Sequence, residues 1–285
     1  MRFWCSQLYE EWSWVPRPYL GVWLIVIGLV VSRHRALGRW QKRVGTAGVT
    51  HRQSVWFWLG LVGFWVASDW PVGTLGAGYL LSVHMAQYLL YTFMATPLLL
   101  LSVPEWRMRQ FVARTHLYGT LKLVTRVLPA VLIANVILLA THAPWTVDTL
   151  RVSQIGSFAL DVVWLLGGFL LWLPVISPMK ELRVASAPVR CIYLFGAAGL
   201  TPMIPGGFFT FSRYPLFSTY EIAPRIGVTA RTDQQIAGAM MKVGSVPLIW
   251  VVIAVIWSRW AAEEEKESKA AIRAMHDPSA GGPAA

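Results

Sequence analysis

GYLLSVHMAQYLLYTFMATPLLLLSV, residues 78–103, is apolar enough to cross a bilayer, yet a histidine, a glutamine and tyrosines interrupt it. A hydrocarbon core about 30 Å thick needs roughly 20 apolar residues in one helix. His84, Gln87, Tyr88 and Tyr91 fall at i, i+3, i+4 and i+7, a single helix face. Polar groups confined to one stripe of such a segment predict a face turned into a helical bundle, away from lipid.

The rest of the chain agrees with a membrane reading. It has 285 residues, 55% hydrophobic and only 14% charged, against about a quarter charged in soluble domains. Apolar segments recur near 18–33, 54–70, 78–103, 127–142, 158–177, 189–211 and 236–259. None alternates with a period of two, so a barrel is not expected. The fold class is all-α: one polytopic transmembrane bundle of about seven helices over residues 1–262. The remainder, 263–285, is charged and then small and Gly/Pro-rich, a short cytoplasmic helix end followed by a disordered tail. MRFWCSQLYEEWSW does not read as a signal peptide. Trp4, Trp12, Trp14, Trp56, Trp58 and Trp70 lie near predicted helix ends, where an interfacial belt is the default expectation.

A net charge of +11 raises nucleic acid as a partner, but the basic residues sort into particular loops. Arg33, Arg35, Arg39, Lys42, Arg43 and Arg52 fill the first loop, Arg107, Arg109, Arg114, Lys122 and Arg126 the third, and Lys180, Arg183 and Arg190 the fifth. The second has no Lys or Arg, and the fourth has only Arg151. The positive-inside rule then puts the N-terminus outside and the C-terminus in the cytoplasm. The sixth loop, with Arg213, Arg225 and Arg231, fits least well. Lipid is the expected surroundings, in the inner (plasma) membrane of a prokaryote, and nucleic acid is not expected. Cys5 and Cys191 fall at opposite ends of the bundle, so no disulfide is expected.

With this topology the intramembrane polar residues of several helices share one depth, toward the outer side. They are His84, His142 before Pro144, Asp161, and the stretch TDQQIAGAMM with Asp233, Gln234, Gln235, Met240 and Met241. Bland readings exist for each. His84 can bond to Gln87 or Asp161 across a helix interface. His142 can be a helix-end residue, and Asp161 a structural partner. Thr232 with Gln235 fits a capping box, and methionines are commonly packing. The chemical reading is a metal: imidazole with thioether suits copper, Cu(I) above all. The ligand candidates are His84, His142, Met240 and Met241. Gln87, Tyr88, Asp161, Asp233, Gln234 and Gln235 are the groups expected to orient them. Met85, about 100° around the helix from His84, ranks lower. In GAAGLTPMIPGGFFTF, Pro202, Pro205, Gly206 and Gly207 predict a kink at the same depth.

HMAQYLL (84–90), THAPW (141–145), WLPVI (172–176), the Pro-Met pair at 202–203 and DQQIAG (233–238) followed by methionine resemble the polytopic CtaG family. The likeness runs in order over roughly residues 50 to 260. Members of that family are multi-helix assembly factors of haem–copper cytochrome c oxidases. The resemblance implies a non-enzymatic role in building an oxidase by handling or delivering copper, with oxidase or other membrane-complex subunits as partners. The matching positions are His84, Gln87, His142, Asp233, Gln234 and Gln235. Two positions depart: Tyr88 and Val162 stand where the family commonly has histidine. A four-histidine site is therefore impossible here. The alternative function is a structural or accessory subunit of a respiratory or oxygenase complex that has lost the metal. A transporter, or a carrier with haem between His84 and His142, ranks below both. No nucleophile–base arrangement, phosphate loop or zinc-protease motif argues for an enzyme.

Overall fold

The computed structural model describes residues 2–276, and every regular element among them is helical. After an extended segment come α1 (Leu20–Val44), α2 (His51–Ser68), the short α3 (Val72–Gly78) and α4 (Leu81–Leu101). The chain bends by 100° into α5 (Glu105–Thr115). The pair α6 (Tyr118–Val124) and α7 (Val127–Thr141) is bent by 82°. Then follow α8 (Pro144–Leu150), α9 (Gln154–Ile176), α10 (Ala187–Phe211), one turn α11 (Ser218–Glu221), α12 (Ala230–Val243) and α13 (Val246–His276).

Four helical stretches are long and apolar enough to cross a membrane, and six if each bent pair is one span. The chain is therefore a membrane protein of four to six such spans. The second expected segment does form a helix, α2, but its polar first turn, His51, Arg52 and Gln53, lowers the hydropathy of its 18 residues. Helix α13 continues through the charged stretch to His276, supported on its exposed face by Lys269 and Glu265 at i, i+4. Residues 277–285 lie outside the described residues.

Local sequence explains the ends and breaks that place the site. Thr50 and Gln53 form a full capping box on α2. The box expected from Thr232 and Gln235 is not the one used. Helix α12 starts a turn earlier, where the Thr229 hydroxyl accepts the Thr232 N–H at 3.2 Å. Pro144 ends α7 as expected, with His142 as its C-cap, and then opens α8 at its first position. In α4, residues Leu90–Ala95 widen to a π-turn. The Thr92 carbonyl there accepts the Trp172 indole N–H at 2.8 Å, and the Thr96 hydroxyl donates to the Tyr91 carbonyl at 2.6 Å. In α10 the break is likewise a π-turn, Phe195–Leu200, just before Pro202. Gly206 beyond it serves close packing. A Cβ on Gly206 would stand 2.9 Å from the Gly238 carbonyl, and one on Gly238 would stand 2.7 Å from that of Gly206. Helices α10 and α12 thus meet backbone to backbone.

The extended N-terminal segment is part of the core. Trp4, Cys5 and Leu8 are buried. The Gln154 side chain accepts the Phe3 and Trp4 amides, and the Gln7 amide donates to the Arg151 carbonyl at 2.8 Å. Trp4 is therefore not an interfacial belt residue. Its indole N–H reaches inward, because a buried carboxylate offers it an acceptor.

Candidate functional site

At the centre of the bundle two imidazoles face a common aromatic floor. His84 and His142 are buried, with ring centroids 6.0 Å apart and planes at 81°. The Trp164 ring lies 4.8 Å from His84 and 5.6 Å from His142, nearly parallel to the latter. Tyr88 closes a third side, 4.6 Å from the His142 ring. The sequence brings them together from two helix ends, the first turn of α4 and the C-cap of α7, and from the middle of α9, one turn past Asp161.

Hydrogen bonds fix the tautomer of both rings. His142 Nδ1 lies 2.8 Å from the Leu138 carbonyl, which can only accept, so Nδ1 carries the hydrogen. His84 Nδ1 lies 2.8 Å from the Tyr220 hydroxyl. That hydroxyl donates to the Gly76 carbonyl at 2.6 Å, so its oxygen accepts from His84 Nδ1. In each neutral ring the lone pair is then on Nε2. Both Nε2 atoms are buried without a hydrogen-bond partner. A buried polar atom left unpaired costs about 1–3 kcal/mol, so two of them beside one another call for an explanation. The expected partners of His84, Gln87 and Asp161, are not the ones it uses. Tyr220, from the one-turn α11, reaches its ring first.

Beneath the imidazoles runs an ionic network. Arg151 and Asp161 are both buried, with Nη2 and Oδ1 3.0 Å apart as an ion pair. One Nη2 hydrogen is directed at Gln87 Oε1, 3.3 Å away. Asp161 Oδ2 accepts the Trp4 indole N–H at 2.8 Å and the Tyr91 hydroxyl at 3.4 Å. Tyr91 is also 2.7 Å from the Ser68 hydroxyl, and Gln87 donates to the Ala67 carbonyl at 2.9 Å. The Arg151 guanidinium lies 5.1 Å over the Trp164 ring. One aromatic thus separates a fixed positive charge from the imidazole pair.

The remaining expected residues act at other places. Asp233 accepts the Leu81 and Ser82 amides at 2.5 and 3.2 Å and the Ser82 hydroxyl. It caps α4 from another helix and so sets the turn that carries His84. Gln234 accepts the Leu216 amide at 2.6 Å and donates to the Phe209 and Tyr214 carbonyls. Gln235 donates to the Thr210 carbonyl at 3.4 Å. These two tie α12 to the end of α10. Met241 is buried and Met240 half-buried, on a helix that runs along α4 between the Asp233 and Gly244 contacts. Among the described residues no three His, Cys, Asp or Glu side chains converge as a metal cluster. Both cysteines are free.

Three residues that shape the site were not expected there. Arg151 had one signal, as the lone basic residue of its loop. Trp164 stands three residues after Asp161, on the same helix face. Tyr220 sits in the single turn α11, too short for a spacing pattern to operate.

No curated protein and no solved structure matches this chain. Residues 34–263, well over half of it, match the family described as cytochrome c oxidase caa3 assembly factor (Caa3_CtaG). By that match the chain belongs to the caa3-type cytochrome c oxidase assembly factors.

Proposed function

We propose that this assembly factor handles copper as Cu(I), held between His84 and His142 and passed to an oxidase subunit in the plasma membrane of a prokaryote. The observation that carries this reading is the pair of orphaned Nε2 atoms, each with its Nδ1–H already engaged by an oxygen acceptor. This is the arrangement that makes imidazole a metal ligand, with the second nitrogen fixing ring orientation. Two imidazoles sharing one ion at about 2.0 Å per bond put their centroids roughly 6 Å apart. The observed 6.0 Å suits that. Two neutral nitrogens in an aromatic, buried setting favour a soft, low-coordinate ion over a hard one. Met240 or Met241 is the proposed thioether donor during loading or transfer. Gln87, Tyr88 and Asp161 hold the surroundings in place, and Asp233, Gln234 and Gln235 hold the helices. The role is binding and delivery, without catalysis.

The test is elemental analysis of the detergent-purified protein after anaerobic Cu(I) loading and desalting. Near-stoichiometric copper is expected in the wild type and in Tyr91→Phe, and little in His84→Ala/His142→Ala. Equal copper in all three, or none in the wild type, refutes the site. The second outcome turns the reading toward a structural partner of the oxidase.

A further inference from the structure

Away from the imidazoles, α1, α2, α4 and α9 leave a cavity of about 180 Å³ at the end of the bundle that carries the basic first and third loops. Its wall is apolar, with Leu29, Phe57, Leu99 and Phe169, and two guanidiniums line it, Arg33 and Arg107. Arg33 is only 8% exposed. It donates to the Ser54 hydroxyl at 3.1 Å and stands 4.5 Å over the Phe57 ring. Arg107 donates to the Ser32 hydroxyl at 2.9 Å. Arg33 feels the positive charge of Arg107, and Arg107 that of Arg39. The nearby carboxylates Glu105 and Glu181 are both engaged by Arg109. Among the described residues none of the three arginines has an acidic partner within ion-pair distance. Next along α1 and α5, Arg39, Arg43 and Arg114 surround the stacked rings of Trp40 and Trp106 in a second cavity of about 190 Å³.

Loop arginines follow from membrane topology. That does not account for one driven into an apolar wall beside like charges with no counter-ion, which is costly unless an anion completes it. An apolar cleft under mutually repelling guanidiniums is complementary to a molecule with an anionic head and a hydrocarbon chain. We propose that this cleft binds an anionic glycerophospholipid, its phosphodiester on Arg33 and Arg107 with Arg39 adding positive charge from the adjoining cavity, and an acyl chain against Phe57, Leu99 and Phe169. A free phosphate shares the head-group chemistry but leaves the apolar wall uncovered.

The test uses delipidated full-length protein in neutral detergent, titrated with dioleoyl phosphatidylglycerol, dioleoyl phosphatidylcholine or inorganic phosphate and read by native mass spectrometry. Phosphatidylglycerol is expected to bind roughly tenfold or more tighter than phosphatidylcholine, since each basic group near a phosphate contributes about 1 kcal/mol. Arg33→Gln/Arg107→Gln should remove that preference, and Arg33→Lys/Arg107→Lys should keep most of it. Arg39→Gln, at an exposed position of the adjoining cavity, should weaken phosphatidylglycerol by roughly fivefold in a protein whose folding is not at stake. Equal retention of the two lipids by the wild type overturns the proposal, as does undiminished phosphatidylglycerol binding in the double Gln variant or in Arg39→Gln. Displacement of the lipid by millimolar inorganic phosphate overturns the lipid assignment in favour of a small anion.

Discussion

Replacing Asp161 by asparagine tests whether the ionic network beneath the imidazoles holds the bundle together. Asp161 and Arg151 have side chains 1% and 0% exposed and 3.0 Å apart. At an effective dielectric of about 20, that separation corresponds to roughly 5 kcal/mol of attraction. Desolvation of both ions offsets much of it, so the pair itself adds little net stability. Breaking it is different. In Asp161→Asn the guanidinium stays buried without a counter-charge, with only the neutral amide oxygens of Gln87 and the new asparagine to accept from it and its Nε and Nη1 already unpartnered. A guanidinium cannot shed its charge. The expected cost is about 3–5 kcal/mol. Arg151→Met should cost less, because the carboxylate it leaves keeps the Trp4 indole and the Tyr91 hydroxyl as donors and can take up a proton. Asp161→Leu/Arg151→Met removes both charges. It leaves Trp4 and Gln87 short of one partner each, about 1 kcal/mol apiece. The double variant should therefore be more stable than Asp161→Asn. Equilibrium unfolding in mixed micelles, followed by tryptophan fluorescence, gives the three values. An Asp161→Asn cost below about 1 kcal/mol, or a double variant less stable than either single, would refute the reasoning.

Further outcomes follow from the same geometry. Tyr220→Phe keeps the ring beside His84 but removes the oxygen that fixes its tautomer. Copper affinity should fall by roughly 10–100-fold, while stability falls by only about 1–2 kcal/mol, as read by competition with a Cu(I) chelator and by unfolding. Gly238→Ala places a methyl 2.5 Å from the Thr210 hydroxyl and 2.7 Å from the Gly206 carbonyl. It should cost about 1–3 kcal/mol, whereas Gly207→Ala, which meets nothing within 4 Å, should leave the midpoint unchanged. Thr50→Ala removes the α2 capping box, at a cost of about 1 kcal/mol measured by the same unfolding assay.

The sequence by itself determined the class of this protein and most of its helices. Apolar length and the lack of period-two alternation leave few alternatives in a membrane, where each backbone group must be bonded within its own segment. It also identified His84 and His142 as the residues to watch, since buried ionisable groups are rare in such helices and stand out in a hydropathy pattern. Pairing was not legible. Asp161 carried no indication that its partner was Arg151, because the two are joined by a turn whose direction depends on how α8 packs. Trp4 looked like a belt tryptophan until the N-terminal segment was found threaded to the carboxylate. Nothing in the sequence indicates that Asp233 caps α4, more than a hundred residues away. Tyr220, which sets the His84 tautomer, lies in the single turn α11, too short to show a periodicity. Hydropathy and spacing act along one helix at a time. The identity of a buried group's partner is decided between helices, by which donor and acceptor the packed bundle leaves nearest to each other.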